Sequence, residues 1–172
     1  MADTSPRTSP HVAVVGGGPA GLMAASAMQD EGARVEVFDA MPSVGRKFLL
    51  AGIGGLNLTH SESLPAFVKR FGDRTATLAP LLEAFGPDAA RAWAASLGIE
   101  TFVGTSGRVF PKDMKAAPLL RAWLHRLRAG GQGRPAVRFH QRHRWLGWSG
   151  DGALRFETPD GETARAFDGV VL

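Results

Sequence analysis

Residues 12–40, VAVVGGGPAGLMAASAMQDEGARVEVFDA, decide how the rest of the chain is read. Val12 to Val15 is a short all-apolar run ended by glycine, the pattern of a strand buried on both faces of a parallel sheet. Pro19 to Asp30 is rich in Ala, Met and Leu and stops before Gly32, which predicts a helix with a glycine at its C-terminal end. Arg34 to Asp39, carrying Val35, Val37 and Phe38, predicts a second strand. Strand, helix and strand within about 30 residues make a βαβ unit with a parallel pair and a right-handed crossover.

Three consecutive glycines at the edge of an apolar strand need a reason. Gly16, Gly18 and Gly21 form G-x-G-x-x-G, with Gly17, Pro19 and Ala20 between them. The first allows a tight turn, the second lets the backbone approach a pyrophosphate, and the third lets the helix pack closely on the strand. The positive end of the following helix then receives phosphate charge. A lone glycine fingerprint is weak evidence, but here it follows a strand, opens a helix and is answered by Asp39, just before Ala40, at the end of the next strand. Asp39 is placed to accept hydrogen bonds from ribose hydroxyls, and its charge repels a 2′-phosphate. FAD and NAD therefore both suit this site, and NADP is disfavoured there.

The 172-residue chain is long enough for one domain with a real core. Its 44% hydrophobic and 21% charged content is ordinary for a soluble globular protein, with no apolar run of membrane-spanning length. Residues 1–10, MADTSPRTSP, are polar and proline-bearing and resemble neither a signal nor an anchor, so a disordered tail, a cytoplasmic location and no membrane partner are the expectations. The absence of cysteine excludes a disulfide framework, a zinc–thiolate site or a redox dithiol within these residues, so electron chemistry requires a bound cofactor. The net charge of +4 and pI near 10.3 suit a polyanion, but the basic residues are spread over several elements without interleaved stacking aromatics, which disfavours a nucleic-acid partner.

Beyond the βαβ unit, Met41 to His60 carries several glycines without a sustained period and is read as a long loop, of a length that is usually functional. Helices are predicted over Leu64–Phe71, Leu78–Phe85 and Asp88–Leu97, and two extended pieces flank a turn at Thr105-Ser106-Gly107. Lys115 to Ala129 places Leu120, Trp123, Leu124 and Leu127 on one helical face, starting near Pro118. Val137 to His140 is expected to be a third strand, followed by an antiparallel meander with turns at SGDG and PDGE. The closing residues DGVVL read as the first half of another buried parallel strand, so residues 11–172 are expected to be the N-terminal part of a domain that continues further. The expected fold class is α/β, a Rossmann-like parallel sheet with helices and a small antiparallel meander.

The segment after the second strand separates FAD from NAD. A nicotinamide dehydrogenase normally proceeds into further βα units, whereas this chain gives about 20 residues to a glycine-rich cationic stretch. Arg46 and Lys47 are placed to approach cofactor phosphates or to fix the loop against carboxylates. Gly52, Gly54 and Gly55 allow backbone to pass close to a flat ring system or a diphosphate.

The block GRKFLLAGIGGLNLTH, Gly45 to His60, resembles the pattern G-R-K-x-x-x-S-G-G-G-R-C-N-x-T-N of a flavoprotein family, the NAD(P)/FAD-dependent oxidoreductases that include aminoacetone oxidase-like FAD-binding enzymes. It matches at Gly45, Arg46, Lys47, Gly52, Gly54, Asn57 and Thr59, and departs at Ala51, Ile53, Gly55, Leu56 and His60. The segment FVGTSGRVFPKDMKAAPLLRAWL is similar to the family's G-R-V-F-P segment before a helix. The resemblance spans Val12 to Leu172 and implies a glutathione-reductase-type FAD-binding domain, with Gly54, Gly55 and Asn57 nearer the flavin. It also implies FAD as cofactor and a small-molecule substrate, and its family admits NAD(P)H as electron donor. The departures suggest a subgroup whose substrate does not follow from better-studied relatives.

The alternatives are an NAD-dependent dehydrogenase using the same fingerprint, and a non-catalytic nucleotide- or RNA-associated module. His60, with Asn57 and Thr59, is either a flavin-facing residue or a turn residue. Thr105, Ser106 and Arg108 flank a turn that is equally readable as a plain hairpin. His140 and His143 are a poor metal signal, and Trp145 and Trp148 read as packing residues around a bulge at Gly147. No catalytic residue, metal ligand or oligomeric state follows from these residues, and this piece alone is expected to hold FAD weakly or not at all.

Overall fold

A computed structural model describes residues 9–131 and 133–172; the disordered tail expected over 1–10 lies outside the described residues as far as position 8. In chain order the elements are β1 (His11–Val15), α1 (Pro19–Asp30), β2 (Arg34–Asp39), α2 (Arg46–Ala51), β3 (Thr59–His60), α3 (Leu64–Lys69), a 3-10 turn (Gly72–Arg74), α4 (Thr75–Ala84), α5 (Pro87–Ser96), β4 (Thr101–Val103), β5 (Arg108–Pro111), α6 (Ala116–Ala129), β6 (Arg138–Gln141), β7 (Arg144–Trp148), β8 (Leu154–Thr158), β9 (Gly161–Arg165) and β10 (Gly169–Val171). The described residues form two compact units, one reaching to residue 47 and resuming at 124, and one of residues 48–123.

The first unit holds an all-parallel sheet in the order β10-β1-β2-β6 and an antiparallel meander β7-β8-β9. This is the α/β Rossmann architecture expected from the βαβ unit. The alternation of β1 and β2 divides their side chains between two faces. Val14 points to the α1 side, where it lies close to Gly21. On the other face the buried Ala13 and Phe38 pack with Leu154 and Phe156 of the meander, Phe38 stacking on Phe156 at 4.2 Å. Gly147, at φ +108°, carries the register shift between Trp145 and Gly147, so the expected bulge is where β7 bends. β10 lies parallel to β1 as read, but it is half-buried because it forms the outer strand of the described sheet.

Four strands are tied at one carboxylate. Glu36 on β2, with its side chain 5% exposed, accepts from His11 Nε2 at 2.8 Å, His140 Nε2 at 2.6 Å and both terminal nitrogens of Arg165, at 2.8 and 3.0 Å. Burial pushes the Glu36 carboxyl up, but the hydrogen bonds from His11, Arg165 and His140 and the Arg165 charge outweigh it and hold the group at about 2. Burial pushes His140 below its ordinary value despite the carboxylate beside it. The His140 ring stacks on Phe38 at 4.6 Å. Gln29, fully buried on α1, donates to the carbonyls of Leu127 and Pro135 at 2.9 and 2.8 Å, which satisfies its amide and fixes the α6–β6 connection to α1.

The second unit is built around Trp123, whose indole meets Trp93 edge-on at 4.7 Å and Phe48 at 6.1 Å. Its antiparallel sheet has the order β3-β5-β4. The long loop expected over 41–60 is corrected here: residues 46–51 form α2 and Thr59–His60 form β3. The Arg-Lys-Phe-Leu-Leu-Ala run consists mostly of good helix formers, and the glycines on either side mask its period. α4 begins at Thr75, three residues before its expected start, because the 3-10 turn leads into it and Pro80 is accommodated inside the helix. No described helix is long and apolar enough to cross a membrane.

Candidate functional site

The site grows from the turn between β1 and α1. Gly16 takes φ +109°, in the left-handed region open to glycine, and its N–H donates to the Phe38 carbonyl at 2.7 Å. A Cβ at Gly21 would fall on the Gly16 carbonyl oxygen, so only glycine lets α1 pass this close to the turn. A Cβ at Gly18 would meet nothing within 4 Å, because this glycine borders open space. Gly18 is also the N-cap residue of α1 and supplies no side-chain cap, while Pro19 brings no N–H. The first-turn N–H groups of Ala20 and Gly21 have no intrahelical partner, which leaves donors and the positive helix end at the turn.

Asp39 holds this turn in place. Its Oδ2 accepts the Gly17 N–H and its Oδ1 the Met41 N–H, both at 2.8 Å. A carboxylate has about four acceptor positions, so two remain for a ligand hydroxyl pair. The loop beyond is pinned from both sides: Gly45 N–H donates to Gly17 O at 2.7 Å, and His143 N–H donates to Asp39 O at 2.9 Å.

These groups surround a cavity of about 320 Å³ at the C-terminal ends of β1 and β2. In an open α/β sheet ligands bind at the C-terminal ends of the parallel strands, and β1 lies there between β2 and β10. Of the candidates from the sequence, Gly16, Gly18, Asp39, Ala40, Arg46 and Lys47 line this cavity together. Pro19, Ala20 and Gly21 do not line it; they form the first turn of α1 beside it. Arg46 and Lys47 are exposed at the start of α2 and have no carboxylate partner among the described residues. Their charge is thus free for a phosphate, and the alternative of pairing with a loop carboxylate is not realised.

Gly54, Gly55 and Asn57 lie in the second unit. Gly54 and Gly55 take φ +83° and +129°, and a Cβ at Gly55 would press on the Met114 methyl at 2.6 Å. With its NH2 turned toward the chain, the Asn57 amide donates to the carbonyls of Thr59 at 2.8 Å and Val109 at 3.3 Å, bracing β3 against β5. His60 is also engaged: its Nδ1 accepts the Glu62 N–H at 3.2 Å, which makes Nε2 the protonated nitrogen of the neutral ring and a donor to Ser106 O at 3.1 Å. The ring thereby plugs the turn between β4 and β5, where a Cβ at Gly107 would strike it.

Sequence reasoning missed His143 and Trp145, which line the cavity from the β6–β7 side. The buried Trp145 Nε1–H has no hydrogen-bond partner among the described residues, a donor that a ligand acceptor would satisfy. No local pattern announces these residues, because they reach the glycine turn only through the pairing of β6 with β2, about 100 positions away in sequence.

The residues fit an adenine dinucleotide: an open backbone turn, free helix-end donors, two unpaired cations, and a carboxylate with acceptors to spare. Similar solved structures include the 3-ketosteroid-Δ4-(5α)-dehydrogenase of Rhodococcus jostii RHA1 in complex with 4-androstene-3,17-dione, at 18% identity and TM-score 0.64 over 99% of this chain and 47% of that one. The open conformation of a flavocytochrome c3 fumarate reductase is similar at 17% identity and TM-score 0.70, over 98% of this chain and 34% of that one. The chain therefore spans less than half the length of either, and at these identities the likeness establishes the fold. No curated protein sequence matches it significantly. The family profile described as HI0933-like protein Rossmann domain matches residues 10–172, and the chain belongs to this family of FAD-binding Rossmann domains.

Proposed function

We propose that this chain is the dinucleotide-binding part of an FAD-dependent oxidoreductase acting on a small molecule. The observation that carries the reading is the cavity at the end of β1, where the glycine turn, Asp39, Arg46 and Lys47 converge. The α1 end and the open face at Gly18 receive the pyrophosphate, and Arg46 and Lys47 balance its charge. Asp39 keeps the turn folded through Gly17 and Met41 and offers its remaining acceptor positions to the adenosine ribose. A 2′-phosphate would meet the Asp39 carboxylate, so NADP is selected against at this site. FAD, when bound, supplies hydride transfer through flavin N5, for which the protein contributes position and electrostatics.

The dinucleotide end of this reading rests on the first unit. The assignment of Gly54, Gly55 and Asn57 to the flavin-proximal part, a place among the aminoacetone oxidase-like enzymes and NAD(P)H as donor rest on the resemblance of the 45–60 block. A cytoplasmic setting belongs to the same proposal. A full-length protein that purifies yellow with flavin absorbance bands, or acquires them on reconstitution with FAD, supports the assignment. A colourless protein that cannot be reconstituted contradicts it. Asp39 and the glycine turn equally suit NAD, so tight NAD binding without FAD binding would select a nicotinamide dehydrogenase instead.

A further inference from the structure

The opposite end of the same sheet carries a second cavity, of about 430 Å³, lined among others by His11, Arg34, Glu36, Arg138 and Arg165. The strand registers explain this grouping. His11 on β1 stands opposite Arg34 on β2, and Glu36, two residues further on the same face, stands opposite Arg138 on β6. Three adjacent strands therefore present titratable or cationic side chains to one face at their N-terminal edge, and Arg165 joins them from β9.

The charges in this cavity do not balance. Glu36 is its sole carboxylate, and both of its oxygens are taken by His11, His140 and the two-pronged Arg165. Arg34 and Arg138 have no ion pair among the described residues, and no acceptor is left for them at Glu36. Two guanidiniums stay unpaired above a cavity whose own negative charge is neutralised. Guanidinium forks match the paired oxygens of phosphate and carboxylate groups.

We infer that this cavity is a second binding site, separate from the dinucleotide cavity, for a small anion bearing a phosphoryl or carboxylate group held between Arg34 and Arg138. His11, held on Glu36 through Nε2, borders the site. The ligand does not displace Arg165 from Glu36, because that pair also anchors the meander. The two sites sit at opposite ends of β2, so their ligands are distinguishable by the residues each one needs.

The test is a titration of the full chain with inorganic phosphate and, separately, with succinate, followed by the side-chain Nε–H NMR signals of arginine. Saturable shifts of two signals that are absent in Arg34→Gln and Arg138→Gln variants are expected with at least one of the probes. The double variant Arg34→Gln/Arg138→Gln should bind at least tenfold more weakly, while the charge-matched control Lys69→Gln/Arg121→Gln keeps wild-type affinity. Response to phosphate alone identifies a phosphoryl ligand, and response to succinate alone a dicarboxylate. No saturable binding of either probe overturns the site, as does equal weakening in the control variant. FAD binding measured on the same samples stays unchanged in the double variant, which separates this outcome from the fate of the flavoprotein assignment.

Discussion

Gly18 and Gly21 stand three positions apart in one fingerprint and serve different physical ends. Gly21 sits against the Gly16 carbonyl, so a methyl group there forces backbone to move; Gly18 borders open space at an extended φ of −80° that any residue adopts. Gly21→Ala should therefore destabilise the fold by about 3 kcal/mol, the upper part of the usual range for overpacking, while Gly18→Ala costs less than about 1 kcal/mol. Thermal unfolding of the two variants separates them, and a Gly18→Ala protein that unfolds as early as Gly21→Ala would remove the assignment of open ligand space. Asp39 combines both duties, since it anchors two backbone N–H groups and faces the cavity. Asp39→Ala should lower stability by about 1–3 kcal/mol through the lost charge-assisted bonds and weaken dinucleotide binding at least tenfold. The sequence singled out Asp39 for the ribose; its grip on Gly17 and Met41 was not legible, because it depends on how the turn folds back over β2.

At the scale of elements, the sheet and meander are joined by an ionic clamp as well as by Phe38 and Phe156. The folded-state pKa of Glu36 is held at about 2, below the ordinary carboxylate value of 4.5. Its stabilisation is thus complete above pH 4.5 and is lost as pH falls toward 2, by up to about 3 kcal/mol. His140, lowered from 6.5, binds fewer protons folded than unfolded, so its contribution is also lost on acidification, beginning near pH 6.5. Chemical denaturation across this range should show two declines, one below pH 6.5 and a larger one between 4.5 and 2. Glu36→Gln should abolish the second, and a variant that keeps it would place the acid sensitivity elsewhere. Most elements of this unit were legible locally, because β1 is a continuous apolar run, β2 is rich in β-branched and aromatic residues, and α1 is bracketed by Pro19 at its start and Gly32 past its end. α2 was hidden because six helical residues between glycines are too short to display a period, and the clamp was hidden because its members come from four separate strands.

At the scale of the whole molecule, the glycine turn, the acidic strand end and the cationic start of α2 meet in one cavity, as the sequence order required. The cavity wall formed by His143 and Trp145 depended on β6 returning beside β2, which no short-range pattern in a single chain reveals. The central claim is that this cavity holds the adenosine diphosphate part of FAD. Titration of the chain with FAD, followed by quenching of flavin fluorescence, tests it most directly. Saturable binding weaker than nanomolar, competed by ADP and reduced at least tenfold by Gly18→Val, is the expected result; NAD binding more tightly than FAD, or FAD binding indifferent to ADP and to Gly18→Val, would contradict it.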